Sequence, residues 1–181
     1  SLTADIRYTG DQRGANLSRP YTDATGVFVG CGFAGFSLAN CNIGGHKNFS
    51  AFTYTLAADY KIGSKTLVYV TTRRGYRSGG FSSTQSSGSA GLTPFQPEQL
   101  TDYEVGAKRD WRLGGDAALR TNLAIYRQNY SNIQRLAVNP NDVTDQVIIN
   151  VPRANVTGGE FEATLVPVKG LTLTYSYARV V

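Results

Sequence analysis

Methionine is absent from the 181 residues of this chain, and histidine and tryptophan occur once each. The opening stretch Ser1–Asp11 already reads as strand, and Thr172–Val181 stops inside an alternating run. With the missing methionine, this leads us to expect an internal segment of a longer protein, with no signal peptide in it. The lone histidine, His46, has no partner at metal-ligand or triad spacing and reads as a loop residue. No run approaches the roughly 18 apolar residues of a membrane helix, and the mean hydropathy is −0.24. That absence does not argue against a membrane, because barrel strands show lipid only at every second residue. Acidic residues are outnumbered, 13 against 18 basic, for a net charge of +5. The basic residues are dispersed apart from Arg73, Arg74 and Arg77, and no basic helix is visible, so nucleic acid is not an expected partner. Cysteine is limited to Cys31 and Cys41, in one Gly- and Asn-rich segment. A loop disulfide in an oxidising, extracytoplasmic compartment is the expectation, with free thiols or a metal as the alternatives.

What the chain does have is alternation. Phe52, Tyr54, Leu56, Ala58 and Tyr60 fall on one side of an extended strand, and Ala51, Thr53, Thr55, Ala57 and Asp59 on the other. Leu171, Leu173, Tyr175 and Tyr177 repeat the pattern against Thr172, Thr174, Ser176 and Ala178. Seven such stretches are expected, at about Leu2–Asp11, Asn48–Lys61, Lys65–Tyr76, Glu98–Trp111, Ala117–Leu136, within Gln146–Val166, and from Leu171 onward. Pro152 is expected to interrupt the sixth, and Gly158–Gly159 to mark a bulge or bend in it.

The connections alternate between long and short. Long loops are expected over Gln12–Lys47, Arg77–Pro97 and Ala137–Asp145, the last around the turn signal Asn139–Pro140–Asn141–Asp142. The core of the second, Ser82–Gly91, is Ser/Gly-rich. Tight turns are expected at Gly63–Ser64, Leu113–Asp116 and Val168–Gly170. A meander with one ragged end and one tidy end matches an outer-membrane barrel, with short periplasmic turns and long extracellular loops. The fold class is therefore all-β, an antiparallel up-and-down meander forming part of a transmembrane barrel.

The polar side of these strands carries charge. Asp102, Glu104 and Lys108 share one face of the fourth strand against Tyr103, Val105 and Ala107, and Glu160 and Glu162 oppose Phe161, Ala163 and Leu165. Charge costs several kcal/mol in hydrocarbon, so these groups should face a wet interior. Tyr60, Tyr69, Trp111 and Tyr175 lie near short turns and are candidates for an aromatic girdle. The third strand looks apolar on both faces and cannot be oriented from its sequence. Arg73, Arg109 and Arg127 fall on the nominal lipid side by alternation and are expected beyond the bilayer or after a bulge. Arg73, Arg74 and Arg77 make a candidate basic rim for an anionic ligand, or pair with acids such as Asp102 and Glu104.

No catalytic or cofactor-binding group is expected. Gly30-Cys-Gly-Phe-Ala-Gly35 fits G-x-G-x-x-G, but Phe36–Gly45 is poor helix and no acid lies between Asp23 and Asp59, so it reads as a Gly-rich loop. Glu160 and Glu162 share a strand face and read as lumen charge rather than a hydrolytic pair. Asn155–Val156–Thr157 reads as a chance sequon.

The segment Tyr69-Val-Thr-Thr-Arg-Arg-Gly-Tyr-Arg-Ser-Gly-Gly-Phe81 resembles a barrel strand of TonB-dependent outer-membrane receptors. In that family an aromatic-rich strand ends in Gly, an aromatic, a basic residue and a small or Gly-rich exit, here Gly75, Tyr76, Arg77 and Ser78–Phe81. Phe95-Gln-Pro-Glu98 and Tyr103-Glu-Val-Gly-Ala-Lys108 follow in family order, then Gly158-Gly-Glu-Phe-Glu162 and Gly170-Leu-Thr-Leu173. The resemblance covers the whole chain and implies the C-terminal half of a barrel of about 22 strands. It implies a bacterial outer-membrane location, lipid around the wall, and an N-terminal plug through which TonB drives uptake of a ferric siderophore, haem, cobalamin or sugar. Residues 1–181 lack the plug, the TonB box and the aromatic-ended last strand of that pattern. An autotransporter-type barrel or an extracellular β-sandwich adhesion protein is the alternative.

Overall fold

The structure, a computed structural model, describes residues 1–33, 36–82, 93–139 and 142–181. In chain order the strands are β1 (Leu2–Ser18), β2 (Pro20–Thr22), β3 (Phe28–Cys31), β4 (Asn42–Ile62), β5 (Thr66–Arg77), β6 (Gly80–Phe81), β7 (Pro94–Phe95), β8 (Glu98–Gly114), β9 (Ala117–Asn139), β10 (Asp142–Val168) and β11 (Leu171–Val180). Seven form one antiparallel sheet in the order β1-β4-β5-β8-β9-β10-β11, a meander without crossovers, while β2–β3 and β6–β7 are small separate ribbons. Among the described residues the only helical element is a 3-10 turn at Leu38–Asn40.

The tidy end of the sheet is set by glycine. Gly63, Gly115 and Gly170 each take a positive φ in the three tight turns, the backbone shape that hairpin turns need and side chains resist. The other end departs from expectation. β1 pairs without a break from Leu2↔Ala58 to Ser18↔Asn42, so residues 12–18 and 42–47 are strand rather than loop. Their Gly and Asn content suggests a turn, yet the ladder asks only for backbone groups, and a neighbouring strand supplies them. The third expected loop is likewise a hairpin: β9 and β10 pair as far as Asn139↔Asp142, with a register shift between Asp142 and Gln146. Of its turn signal, residues 140–141 lie outside the described residues, as do most of the Ser82–Gly91 stretch and the last two positions of the Gly30–Gly35 motif.

Proline acts locally instead of ending strands. Pro152 lies inside β10, flanked by Val151↔Ile133 and Arg153↔Ser131 but itself unpaired. It has no N–H to give, and Asn132 across from it adopts φ 53°. Gly158 and Gly159 stay in register with Tyr126 and Ile125, so no bulge occurs there. The irregularity of the β10–β11 ladder lies instead between Leu165 and Val168, around Pro167.

Register orients every strand, because opposed residues project to the same side. Val105 faces Val70 and Ile125. Val70 faces Ala58, which faces Leu2. Phe161 faces Leu123 and Tyr177. One side of the sheet is thus Leu2, Ile6, Leu56, Tyr60, Val68, Val70, Val105, Leu123, Ile125, Leu173 and their neighbours. Apart from the half-buried Val68, these large apolar groups are exposed: Val105 by 55% and Ile125 by 54%. The opposite side holds Asp102, which is only 5% exposed. This is a water-soluble protein turned inside out, with its apolar side presented outward and its charge folded inward.

The third strand is now oriented: Val68, Val70 and Thr72 join the apolar side, and Leu67, Tyr69, Thr71 and Arg73 the polar side. Arg73 therefore does not follow the lipid side, as simple alternation suggested. Arg109 and Arg127 do, but six residues along β8 separate Arg109 from Tyr103, the partner of Arg127. They bracket a charge-free interval of roughly 20 Å along the strand, within reach of water for side chains that snorkel.

The polar side is concave. The ribbon β6–β7 touches both β1 and β10, and Arg13, Gln134 and Ile148 line one cavity with it. A flat sheet would hold β1 and β10 about 24 Å apart. At this loop-bearing end the inner wall becomes apolar. Phe33, Cys41 and Ile43 are buried together with Leu17 and Cys31 against them, and the Phe49 ring packs on Gly79.

Val105→Arg should cost about 2–4 kcal/mol in the bilayer-refolded protein, the penalty for a cation near mid-membrane. Gln128→Arg, opposite Asp102 on the inner side, should stay within about 0.5 kcal/mol. Urea titration of each variant in lipid vesicles measures both.

Candidate functional site

Two regions of the inner wall carry organised polar chemistry. The first is a chain of charge across β5 and β8. Arg73 stands opposite Asp102, donates Nε and Nη2 to Asp102 Oδ2 at 3.0 and 2.7 Å, and donates Nη2 to Glu104 Oε2 at 2.7 Å. Tyr69 Oη donates to the other oxygen of Glu104, Oε1, at 2.7 Å. One guanidinium thus serves two carboxylates, and the group keeps a net negative charge. Asp102 Oδ1 is buried and accepts nothing within the described residues.

Glycine makes this packing possible. Tyr69 lies flat over Gly106, its register partner, where a Cβ would come 2.5 Å from the ring. Tyr126 lies over Gly158 in the same way on the next hairpin. Each tyrosine fills the space that a cross-strand side chain would take, so its hydroxyl can reach along the wall. Tyr69 is therefore not part of an outer aromatic girdle. It sits on the polar side, with Lys108 Nζ 5.8 Å from its ring centre.

The remaining candidates separate. Arg73, Arg74 and Arg77, adjacent in sequence, do not act as one cluster. Arg74 lies on the opposite side from Arg73 and bonds Gln99 through Nη2. Arg77 lines the cavity of about 390 Å³ beside the β6–β7 ribbon. Glu162 accepts from Asn122 Nδ2 at 3.2 Å, while Glu160 shares the inner rung of Gly106 and Ala124. Tyr60, Trp111 and Tyr175 are all on the apolar side: Tyr60 is near Gly63, Trp111 donates Nε1 to Thr121 at 3.0 Å beneath the Arg109 guanidinium, and Tyr175 is beside Phe161.

The second region is the mouth at the loop-bearing end. Cys31 and Cys41 are joined by a disulfide, with Cα atoms 5.5 Å apart. The bridge ties the end of β3 to the residue before β4 and closes a short loop that carries the 3-10 turn. At the tip of the β2–β3 ribbon, Asp23 Oδ1 accepts from Thr25 N, Thr25 Oγ1 and Val27 N. The Thr25 hydroxyl and these backbone bonds hold its carboxyl below the usual carboxylate range. Among the described residues, Gly30 is followed by a 3-10 turn at Leu38–Asn40 and then β4.

The β6–β7 ribbon is fastened by two side chains that sequence reading did not single out. Gln134 donates Nε2 to Ser78 O and Gln96 O, and its backbone N–H bonds Glu98 Oε2. Asn150 accepts from Gln96 N at 2.7 Å and donates Nδ2 to Gln96 O and Asn132 O. Two amides thus fix a connecting segment to the wall. Nothing in their local sequence marks them, since the partner strand arrives from elsewhere in the chain.

Inverted polarity, a curved meander and a loop-covered mouth define a segment of transmembrane barrel wall. Over residues 1–180 the chain matches the family model "TonB dependent receptor-like, beta-barrel", and it belongs to that family. This sets aside the autotransporter and β-sandwich alternatives. Among solved structures it is similar to a double mutant of the hemophore receptor HasR of Serratia marcescens, in complex with its hemophore HasA and heme. The identity is 17% and the TM-score 0.62, over 99% of this chain and 31% of that receptor. The likeness is one of fold, and the chain spans about a third of the receptor it matches. No curated protein matches it.

Arg73→Ala should destabilise by about 1–3 kcal/mol, the cost of leaving a buried carboxylate short of its donor, and Tyr69→Phe by about 1 kcal/mol. Equilibrium unfolding of the two variants checks the order. Replacing both cysteines by serine should remove up to about 3 kcal/mol of loop-closure stabilisation. Limited proteolysis should then cut faster within residues 19–41 and no faster in the strands.

Proposed function

We propose that this chain is part of the wall and ligand mouth of a bacterial outer-membrane receptor that imports a ferric siderophore or a similar scarce nutrient, driven by TonB through a plug domain. The observation that carries this reading is the inverted wall. An exposed apolar side bracketed by arginines fits contact with lipid, and a concave polar side fits the wet interior of a barrel. Tyr60, Trp111 and Tyr175 would anchor the wall at its periplasmic interface, where the tight turns lie. The disulfide-closed segment and the amide-fastened ribbon would form part of the ligand mouth. The wall supplies shape and charge, and no covalent chemistry is asked of it.

Deleting the gene and measuring radiolabelled iron uptake from a panel of ferric siderophores, ferric citrate and haem tests this directly. The expected result is loss of uptake from one source, restored by the intact gene and abolished in the wild type by a protonophore. Unchanged uptake from every source would contradict the assignment to iron nutrition.

A further inference from the structure

The outer side of the sheet is one-sided in charge. By register it carries Arg74, Arg109, Arg127, Arg153 and Arg179. Among the described side chains of the seven strands, every acid lies on the inner side: Asp5 and Asp11 on β1, Asp59 on β4, Glu98, Asp102, Glu104 and Asp110 on β8, and Glu160 and Glu162 on β10.

Three of these arginines fall on one line. Arg74 on β5 opposes Thr101, which opposes Asn129 on β9, and Arg127 is the next outer residue toward the tight turns. Arg127 opposes Thr157 on β10, and Arg179 on β11 opposes Gly159, again one outer residue nearer the tight turns. The same step leads back from Arg74 to β1. Arg74 opposes Tyr54, and Phe52, the next outer residue away from the tight turns, opposes Tyr8. The Tyr8 and Phe52 rings pack with centres 4.9 Å apart. Each step crosses two strands and moves two residues, about 10 Å across and about 7 Å along, so the line is inclined by about 35° to the hydrogen-bonded rungs. Barrel strands tilt by roughly 35–45° from the barrel axis, which tilts the rungs by the same angle from the membrane plane. The tight-turn edge of the apolar belt slopes the same way: Tyr60 on β4 shares a rung with Val68 and Ala107, and Arg109 is one outer residue nearer the turns. The line through Tyr8, Arg74, Arg127 and Arg179 thus runs at one depth, along the loop-side edge of the belt. Arg109 and Arg153 lie off it, toward the two ends.

These arginines lack a counter-ion. Arg74 Nη2 bonds Gln99, and Arg127 Nε bonds Asn129 Oδ1 at 3.2 Å. None of the three forms an ion pair among the described residues. The acids are behind the sheet, so the balancing charge has to arrive from the medium that covers the outer side. The planar fork of a guanidinium matches a phosphate with two parallel hydrogen bonds, and the amide beside Arg74 and Arg127 holds the fork in place.

We propose that Arg74, Arg127 and Arg179 form a belt that binds the phosphate groups of lipid in the leaflet at the loop-bearing end. The belt rests on the outer side meeting lipid and is independent of the nutrient imported. Its test uses the whole receptor in maltoside micelles, mixed with lipid A bearing two phosphates or with the same lipid fully dephosphorylated. Native mass spectrometry counts the lipid retained. The diphosphorylated form should bind the wild type more tightly, and R74Q/R127Q/R179Q should weaken it by about five-fold for each arginine removed. R74K/R127K/R179K should recover most of that loss, and Arg7→Gln, on the inner side, should change nothing. Equal retention of the two lipids, no recovery with lysine, or an equal loss with Arg7→Gln would overturn the belt. A spin label at Ile125→Cys reports the outer side itself. Oxygen contact there without phosphate discrimination overturns the belt alone, and absence of oxygen contact overturns the lipid-facing side beneath it.

Discussion

Everything in this wall depends on an unbroken two-residue register carried from strand to strand. Hydrocarbon cannot hydrogen-bond the backbone, so each strand must satisfy its N–H and C=O groups on its neighbours. That requirement fixes the ladder, and the ladder fixes which side each residue faces. A slip of one residue on β8 would bring Asp102 and Glu104 into lipid and Val105 into the lumen. The irregularities that do occur are local. The register shift beside Pro167 lies next to a turn, and the unpaired Pro152 lies toward the loop-bearing end, clear of the belt formed by Val70, Val105 and Ile125.

Within that frame the inner face uses glycine and tyrosine to make room for charge. Tyr69 over Gly106 and Tyr126 over Gly158 cover the floor of the wall, and Arg73 is shared between Asp102 and Glu104 above it. Strand curvature crowds the concave side, which is why Asp102 is buried although it faces the lumen. At the mouth the crowding becomes apolar, with Phe33, Ile43 and Phe49 beneath segments held by a disulfide and two amides. The inner wall thus passes from charge shared among Arg73, Asp102 and Glu104 at its middle to an apolar cluster around Phe33 and Ile43 at the mouth.

Much of this was legible in the sequence. The alternation of Phe52–Tyr60 and Leu171–Tyr177 located strands, and glycines located the tight turns. The barrel class followed from alternation combined with loop asymmetry. What failed was information that resides in partners. Residues 12–18 and 42–47 look like loop until each is seen to supply the other's hydrogen bonds. Leu67–Thr72 is apolar on both sides, and only Val105 and Glu104 across the ladder reveal which side is which. Tyr69 near a turn suggests an interfacial anchor, and only its glycine partner reveals an inward-lying ring. Gln134 and Asn150 carry no local signal at all.

The central claim is that the side bearing Val105, Leu123 and Ile125 meets lipid. Spin labels placed singly along residues 119–128 of β9, in the whole receptor in a bilayer, measure it by comparing collision with oxygen and with a water-soluble nickel complex. The account predicts a period of two, with odd positions favouring oxygen and even positions favouring nickel. The opposite phase, or no periodicity, would contradict it.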